Sequence, residues 1–184
     1  MNLKNLGIDK SWTLFLDRDG VINKKIENDY IKKWEEFEFI PGVKEAIATL
    51  NNIFGLVFVV TNQQGIAKGL YSESDLESIH LNMMLDVILA GGQIDRIYFA
   101  PELASAKSNM RKPSIGMAEK AKEDFPSIDF SKSIIIGDSI SDMEFGRNAG
   151  MKTIFFNNLH PGEDSKSLID FHFKNWTDLK NDFN

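Results

Sequence analysis

Short runs of apolar, strand-forming residues alternate along this chain with longer stretches in which apolar residues recur at helical spacing. The strand-like runs lie at about 12–17, 56–60, 94–99, 133–136 and 152–156, with a candidate edge strand at 170–173. The run Leu56–Val60 is apolar at every position, which is typical of a strand covered on both faces of a parallel sheet. Strands that alternate with helices predict an α/β fold with a mostly parallel central sheet and helices on both faces.

The helical stretches carry signals of their own. Pro41-Gly42 precedes the first of them, and Ser72 is typical of the N-cap of the second. The helices are expected at about 43–53, 73–90, 114–124 and 141–149, with a closing helical turn at 176–179. His80 falls in the middle of the second helix and is expected to be structural or at the surface, and His160 and His172 are expected to be structural.

Composition narrows the possible classes of protein. The 184 residues, 42% hydrophobic and 26% charged, predict one globular domain over 1–184. The net charge of −6 argues against nucleic acid as the main partner, since domains that bind it usually carry a basic face. The absence of cysteine excludes disulfides and cysteine-ligated zinc. Residues 1–10 are too polar for a signal peptide and no apolar run reaches the ~18 residues of a membrane span, so we expect a cytoplasmic monomer with no membrane partner.

Polar residues follow the first strand at the point where it ends. Asp17 and Asp19 come directly after its apolar run, and Gly20 lets the backbone turn sharply. In open α/β sheets, ligands bind at the carboxyl ends of the strands. Loops after strands are also often rich in Asp and Gly simply because the chain turns there, so this pair alone leaves both interpretations open.

Later segments repeat this arrangement. Thr61-Asn62-Gln63-Gln64-Gly65 follows the second strand and offers a hydroxyl and backbone N–H groups that suit phosphate oxygens. Gly137-Asp138-Ser139-Ile140-Ser141-Asp142 follows the fourth strand, and Arg111-Lys112-Pro113 places two cations before a helix. Each segment by itself also fits a turn or solvated surface charge. Their recurrence at strand ends predicts one shared site.

The string Leu16-Asp17-Arg18-Asp19-Gly20-Val21-Ile22-Asn23 resembles motif I of the haloacid dehalogenase (HAD) superfamily of phosphohydrolases. It is most similar to the branch that contains heptose bisphosphate and histidinol-phosphate phosphatases. The segments 59–69, 111–117 and 137–142 resemble motifs II, III and IV of that branch, in the same order. The resemblance covers about 12–156 and implies a Rossmann-like HAD core with minimal or no cap domain, an open active site and a small substrate.

The resemblance implies Mg²⁺-dependent hydrolysis of a phosphomonoester through an aspartyl-phosphate. Asp17 corresponds to the nucleophile, and Asp19 to the general acid and then the general base. Thr61 and Lys112 correspond to the groups that stabilise the transferring phosphoryl group. The metal ligands implied are the carboxylates of Asp17 and Asp138 and the backbone carbonyl of Asp19. A carboxylate nucleophile is anionic at neutral pH, so a divalent cation must offset its repulsion from phosphate.

The remaining candidates contact the substrate or support the site. The predicted substrate-binding residues are Asn62, Gln63, Gln64, Arg111 and Ser139. Arg111 corresponds to a residue that contacts the remote part of the substrate, and its planar guanidinium suits a second phosphate or a carboxylate. Asp142 is expected to orient neighbouring groups or to cap the next helix, whose N-terminus favours an acid.

Two departures from the branch concern the substrate. The loop at 101–110 has none of the three Cys and one His that commonly bind a structural zinc there, so no zinc is expected. Ser139 stands where the heptose phosphatases typically have a substrate-contacting lysine. The expected substrate is a phosphorylated sugar, most like a heptose bisphosphate, with the amino alcohol phosphate histidinol phosphate as the alternative. A receiver-like module phosphorylated without turnover is an alternative of another class, against which Asp19 argues.

Residues 23–39 form a long, charge-rich stretch with interspersed aromatic residues. Long irregular loops inside compact domains are usually functional or disordered, and the aromatic residues argue against disorder. One interpretation is a surface loop anchored by those aromatic residues. The other, which the resemblance implies for residues 23–31, is a loop that contacts the substrate.

Overall fold

Six parallel strands form one sheet, and the computed structural model describes them within residues 3–159 and 161–183. The strands are β1 (Thr13–Leu16), β2 (Leu56–Asn62), β3 (Arg96–Ala100), β4 (Ser133–Gly137), β5 (Lys152–Phe156) and β6 (Phe171–Phe173). Their order across the sheet is β3-β2-β1-β4-β5-β6, so β1 and β4 lie at its centre. The predicted parallel α/β sheet is confirmed, including the candidate edge strand. His160 lies outside the described residues.

Within the described part of the chain, five α-helices connect or follow these strands. They are α1 (Val43–Leu50), α2 (Glu73–Leu89), α3 (Gly116–Asp124), α4 (Ile140–Ala149) and α5 (Trp176–Phe183). The Ser72 hydroxyl accepts the Asp75 N–H while the Asp75 carboxylate accepts the Ser72 N–H, so the expected N-cap of α2 is a full capping box. The helical turn expected near the end of the chain continues as α5. Across the described residues, none of the helices is both long and apolar enough to cross a membrane.

The sheet separates two apolar cores. Alternate residues of β1 point to opposite faces, so Leu14 and Leu16 pack with α1, α2 and α5 while Phe15 packs with α3 and α4. All three side chains are fully buried. Burial of each stabilises the fold by roughly 1.5–3 kcal/mol. Because both faces of β1 are covered, the charged residues that follow it can lie only at the end of the strand.

The strand register brings the ends of three strands together. Leu16 of β1 is paired with Val59 of β2 on one side and with Ile136 of β4 on the other. The parallel strands therefore leave the sheet side by side, and the segments that follow them share one edge. The Trp176 indole N–H also donates to the Val21 carbonyl at 2.9 Å, which ties α5 to the loop after β1.

The stretch 23–39 is anchored by aromatic contacts. The rings of Trp34 and Phe37 are stacked with their centroids 4.9 Å apart, and Phe39 meets Phe37 edge-on at 5.0 Å. These three residues are partly buried against the core that contains α1. The first half of the stretch projects Lys25, Asp29 and Tyr30 towards the end of β1, where they line a cavity of about 180 Å³ with Asp19. The stretch is therefore an anchored loop that also borders the candidate site.

Candidate active site

Residues from several loops at the carboxyl edge of the sheet line a single cavity of about 130 Å³. Of the residues predicted from sequence, the cavity contains Asp17, Asp19, Thr61, Asn62, Lys112, Ser139 and Asp142. Asp138 borders an adjoining cavity together with Gly20. Segments that are up to about 120 positions apart in the chain thus meet in one place, as expected for the ends of parallel strands.

The Lys112 ammonium contacts two of the carboxylates that line the cavity. Its Nζ is 2.9 Å from Asp17 Oδ1, 2.5 Å from Asp142 Oδ1, and donates to the Val60 carbonyl at 2.8 Å. Burial by itself would lower the pKa of Lys112, but the carboxylates of Asp142 and Asp17 raise it above its usual range. Lys112 is therefore a fixed positive charge beside Asp17, where a phosphoryl group would approach.

Asp17 is an almost fully buried carboxylate that lies close to the carboxylates of Asp138 and Asp142. Burial, together with the charges of Asp142 and Asp138, raises its pKa to about 7 against the opposing charge of Lys112. The backbone N–H of Arg18 donates to Asp17 Oδ1 at 2.8 Å, which fixes the orientation of the carboxylate. The nucleophilic form is the anion, so positive charge near this group is needed for it to be ionised at neutral pH.

Asp19 is held from both sides. The Arg18 guanidinium donates to its two oxygens at 2.9 and 3.0 Å, Asn23 donates to Oδ1 at 3.0 Å, and Gln63 donates to Oδ2 at 2.8 Å. Burial would raise the pKa of Asp19, but Arg18 and the hydrogen bonds from Asn23 and Gln63 bring it below its usual value. These contacts fix where the carboxylate of Asp19 sits relative to Asp17.

The acidic residues fit a hard divalent cation. One carboxylate oxygen from each of Asp17, Asp138 and Asp142 lies within 4.8 Å of the other two. Gly20 makes room for this cluster, because a Cβ on its backbone would lie 2.0 Å from Asp138 Oδ2. Clustered carboxylate oxygens are the ligands that Mg²⁺ prefers. The predicted set differs from this cluster at one position, since it contained the Asp19 carbonyl and not Asp142.

Asp142 also caps the helix α4. Its carboxylate accepts hydrogen bonds from the Ser139 hydroxyl at 2.6 Å and the Ser139 N–H at 3.1 Å, which makes a capping box at the start of α4. Gly137 permits this contact, because a Cβ there would meet the Asp142 side chain at 2.1 Å. The supporting function predicted for Asp142 is consistent with these contacts.

Two predicted substrate-binding residues point to a neighbouring loop. Arg111 donates to the Glu102 carbonyl at 3.4 Å, and the Gln64 side chain accepts the Ala104 N–H at 3.2 Å. Both therefore contact the segment 101–110, and neither lines the cavity that holds Asp17. Their contact with substrate stays a prediction.

Asn62 also contacts the protein. Its Oδ1 accepts the Lys112 N–H at 3.0 Å and its Nδ2 donates to the Lys112 carbonyl at 3.2 Å. This pair of hydrogen bonds fixes the backbone of Lys112 to the end of β2. Asn62 therefore helps to place the lysine while also lining the cavity.

The structure adds residues that sequence reasoning missed. Lys25 lines both the cavity that contains Asp17 and the cavity of about 180 Å³ that contains Tyr30. Nothing in the local sequence distinguishes it from its charged neighbours. Arg18 is 1% exposed, and its position between two motif acids was a usable signal. His80 is buried against Arg18, with its Nε2 3.2 Å from Arg18 Nη1. Burial, and then the charge of Arg18, lower the pKa of His80 to about 3, so it is neutral at physiological pH.

Comparison with known proteins places this site in a family. The family model described as polynucleotide kinase 3 phosphatase matches residues 13–180. A Campylobacter jejuni protein named D-glycero-alpha-D-manno-heptose-1,7-bisphosphate 7-phosphatase is 40% identical over 176 residues, which are 95% of this chain and 96% of that protein. A Rhodopseudomonas palustris protein named for the beta anomer of that substrate is 36% identical over 144 residues, covering 74% of this chain and 78% of its own.

A solved structure supports the same placement. The D,D-heptose 1,7-bisphosphate phosphatase from B. bronchiseptica, crystallised with magnesium and phosphate, has a TM-score of 0.80 to this chain at 26% identity. The similarity covers 92% of this chain and 96% of that one. The chain therefore belongs to the polynucleotide kinase 3 phosphatase family of HAD-like phosphatases.

Proposed function

We propose that this protein is a Mg²⁺-dependent phosphatase that removes the 7-phosphate of D-glycero-D-manno-heptose 1,7-bisphosphate. The observation that carries the proposal is the cavity in which Asp17, Asp19 and Lys112 meet at the end of β1. The names of the relatives from C. jejuni and R. palustris supply the substrate. Because those names specify different anomers of the heptose bisphosphate, the experiment below determines which anomer this protein prefers.

The reaction runs in two chemical steps on this chain's own residues. A carboxylate oxygen of Asp17 attacks phosphorus, the bond from phosphorus to the sugar oxygen breaks, and that oxygen takes a proton from Asp19. Because the pKa of Asp19 lies below its usual value in the free protein, Asp19 must take up this proton when the phosphorylated substrate binds. Water then attacks the phosphorus of the aspartyl-phosphate and gives its proton to Asp19, while the bond from phosphorus to Asp17 breaks. Inorganic phosphate leaves, and both side chains return to their starting forms.

The neighbouring residues stabilise the charge of the transferring group. Lys112 presents an ammonium 2.9 Å from Asp17 Oδ1, and Thr61 presents its hydroxyl in the same cavity. Preorganised donors of this kind stabilise a transition state without the cost of reorganisation. Asp17, Asp138 and Asp142, together with the Asp19 carbonyl, would hold Mg²⁺, which supplies the positive charge that keeps Asp17 ionised and offsets its repulsion from phosphate.

Further expectations belong to the same proposal. The net charge of −6 favours a small phosphorylated substrate over nucleic acid. A monomer in the cytoplasm stays a prediction from the sequence.

The test is phosphate release with Mg²⁺ from a panel of phosphomonoesters. The panel contains both anomers of heptose 1,7-bisphosphate, histidinol phosphate and several sugar monophosphates. We expect the highest kcat/KM with one heptose bisphosphate anomer. Preference for histidinol phosphate, or weak activity across the whole panel, would contradict the proposed substrate, and absence of turnover would contradict the proposed reaction.

A further inference from the structure

Gln63 is a buried polar side chain that connects two proposed catalytic groups. Its Nε2 donates to Asp19 Oδ2 and to Thr61 Oγ1, both at 2.8 Å. Its Oε1 accepts the Tyr71 hydroxyl at 2.6 Å. Gln63 and Thr61 are each 1% exposed, so these hydrogen bonds are shielded from water. Both polar atoms of the amide thus have protein partners.

Tyr71 fixes the amide of Gln63 in one orientation. A donor hydroxyl against Oε1 means that the other end of the amide, the NH₂ group, faces Asp19 and Thr61. Gly65 leaves the space that the tyrosine ring fills, because a Cβ at that position would lie 2.2 Å from Tyr71 Cε1. The contact between tyrosine and glutamine is therefore set by packing as well as by hydrogen bonding.

The opposite side of Asp19 is fixed in a similar way. The guanidinium of Arg18 reaches both carboxylate oxygens and is itself in contact with His80. Arg18 and Gln63 leave the Asp19 carboxylate little freedom to rotate. A group that must deliver a proton to a leaving oxygen depends on such restraint, because small displacements of a reacting group reduce the rate strongly.

We propose that Gln63, held by Tyr71, is a positioning residue that aims the Asp19 carboxyl at the leaving oxygen, and that it does not contact the substrate. This inference rests on the general acid role of Asp19 in the proposed function. The same amide orients the Thr61 hydroxyl, so one side chain sets the spacing between the phosphoryl-binding group and the acid. Tyr71 acts through Gln63.

The test uses the chemistry of the leaving group. An alkyl alcohol such as a sugar must be protonated as it departs, whereas p-nitrophenolate leaves without a proton. Loss of acid positioning therefore lowers kcat/KM for sugar phosphates and spares p-nitrophenyl phosphate. A purely structural defect, or a defect in metal binding, lowers both. The value kcat/KM is the right measure because it covers the steps up to departure of the leaving group.

The variants are Gln63→Met and Tyr71→Phe, assayed with Mg²⁺ on heptose 1,7-bisphosphate, or on the panel sugar phosphate that is hydrolysed fastest, and on p-nitrophenyl phosphate. For Gln63→Met we expect a loss of about tenfold or more on the sugar phosphate and less than about threefold on the aryl ester, since misplacing the acid removes part of the roughly 10²–10⁴-fold that general acids contribute. Tyr71→Phe should show the same bias with a smaller loss.

Two matched controls lie away from the site. Gln93→Met changes an exposed glutamine, and Tyr98→Phe removes a hydroxyl bonded to Asp124.

Asp19→Asn is assayed beside these variants. If Asp19→Asn shows the bias and both Gln63→Met and Tyr71→Phe lack it, the positioning role is wrong while the proposed reaction stands. If Asp19→Asn lowers both substrates equally, the acid role itself is wrong and the inference falls with it. Thermal unfolding of each variant checks folding, and Tyr71→Phe keeps the test decisive if Gln63→Met does not fold.

Discussion

The Lys25 ammonium contacts both carboxylate oxygens of Asp138, at 2.7 and 2.6 Å, although the two residues are 113 positions apart. The lysine comes from the loop after β1 and the aspartate from the end of β4. Gly20, beside them, has no side chain that would separate the pair. Since Asp138 is a proposed ligand of Mg²⁺, the lysine and the metal ion have a common binding partner.

Replacement of Lys25 by methionine is expected to strengthen Mg²⁺ binding. The side chain becomes one atom shorter, stays unbranched, and loses the charge that competes for Asp138. Ion pairs with a half-exposed partner contribute up to about 1 kcal/mol, which corresponds to a gain in affinity of about fivefold. Isothermal calorimetry with Mg²⁺ and no substrate measures it, so the outcome does not depend on the identity of the substrate.

Lys24→Met is the matched control for this measurement. Lys24 precedes Lys25 in the same loop, has a similar side-chain exposure of 51% against 49%, and pairs with Glu38 at the surface. Its replacement removes the same charge and should change the Mg²⁺ affinity by less than about twofold, since exposed charges are screened. Equal or weaker Mg²⁺ binding by Lys25→Met would show that the lysine does not compete.

Gly20→Ala is expected to damage both stability and the metal site. Gly20 has φ of +92°, a backbone conformation that costs an L-residue about 1–2 kcal/mol. The added Cβ would also lie 2.0 Å from Asp138 Oδ2, so the carboxylate must move. We expect a lower free energy of unfolding in urea and weaker Mg²⁺ binding by calorimetry.

Gly91→Ala separates these two effects. Gly91 has φ of +84° with no atom within 4 Å of an added Cβ, so it carries the backbone strain without the clash. It should lose stability and keep its Mg²⁺ affinity. Unchanged Mg²⁺ binding by Gly20→Ala as well would mean that Asp138 is not needed where the structure places it.

His80 is expected to make stability fall as the pH is lowered. Burial and the charge of Arg18 hold its pKa at about 3 in the folded protein, against about 6.5 in the unfolded chain. Below about pH 6.5 the unfolded chain takes up a proton that the folded protein does not, so folding loses up to about 1.4 kcal/mol per pH unit. At pH above 6.5 the histidine is neutral in both states and makes no such contribution.

The measurement is urea unfolding of the wild type and of His80→Gln between pH 7.5 and 5.5, a range above most carboxylate titrations. The difference in unfolding free energy between the two proteins should shift in favour of the glutamine variant as the pH falls. A difference that is constant with pH would mean that His80 becomes protonated in the folded protein.

Asp17→Asn is expected to abolish turnover while the fold is retained. The amide cannot form the aspartyl-phosphate, and it removes a buried carboxyl whose charge burial disfavours. Turnover is measured as phosphate release with Mg²⁺, and folding as the free energy of unfolding in urea, which should not fall. Asp164→Asn, at an exposed aspartate, serves as the control. Full Mg²⁺-dependent activity of Asp17→Asn would exclude Asp17 as the nucleophile.

The architecture could be predicted from the sequence, because the features that specify it are local. A continuous apolar run such as Leu56–Val60 predicts a covered strand, and Ser72 followed by Asp75 predicts the start of a helix. It also predicted which strand ends would carry polar groups. Since parallel strands end at one edge of a sheet, the sequence predicts that Asp17, Thr61 and Asp138 lie there together.

The pairing of these groups, in contrast, depends on the folded arrangement of the chain. The contacts of Lys25 with Asp138, of Gln63 with Asp19, and of Arg18 with His80 join positions that are 113, 44 and 62 apart. Such pairs depend on side-chain directions and packing across several elements, which no local pattern encodes. For the same reason, the sequence grouped Gln63 with the predicted substrate-binding residues. In the fold its amide is hydrogen-bonded to the side chains of Asp19, Thr61 and Tyr71.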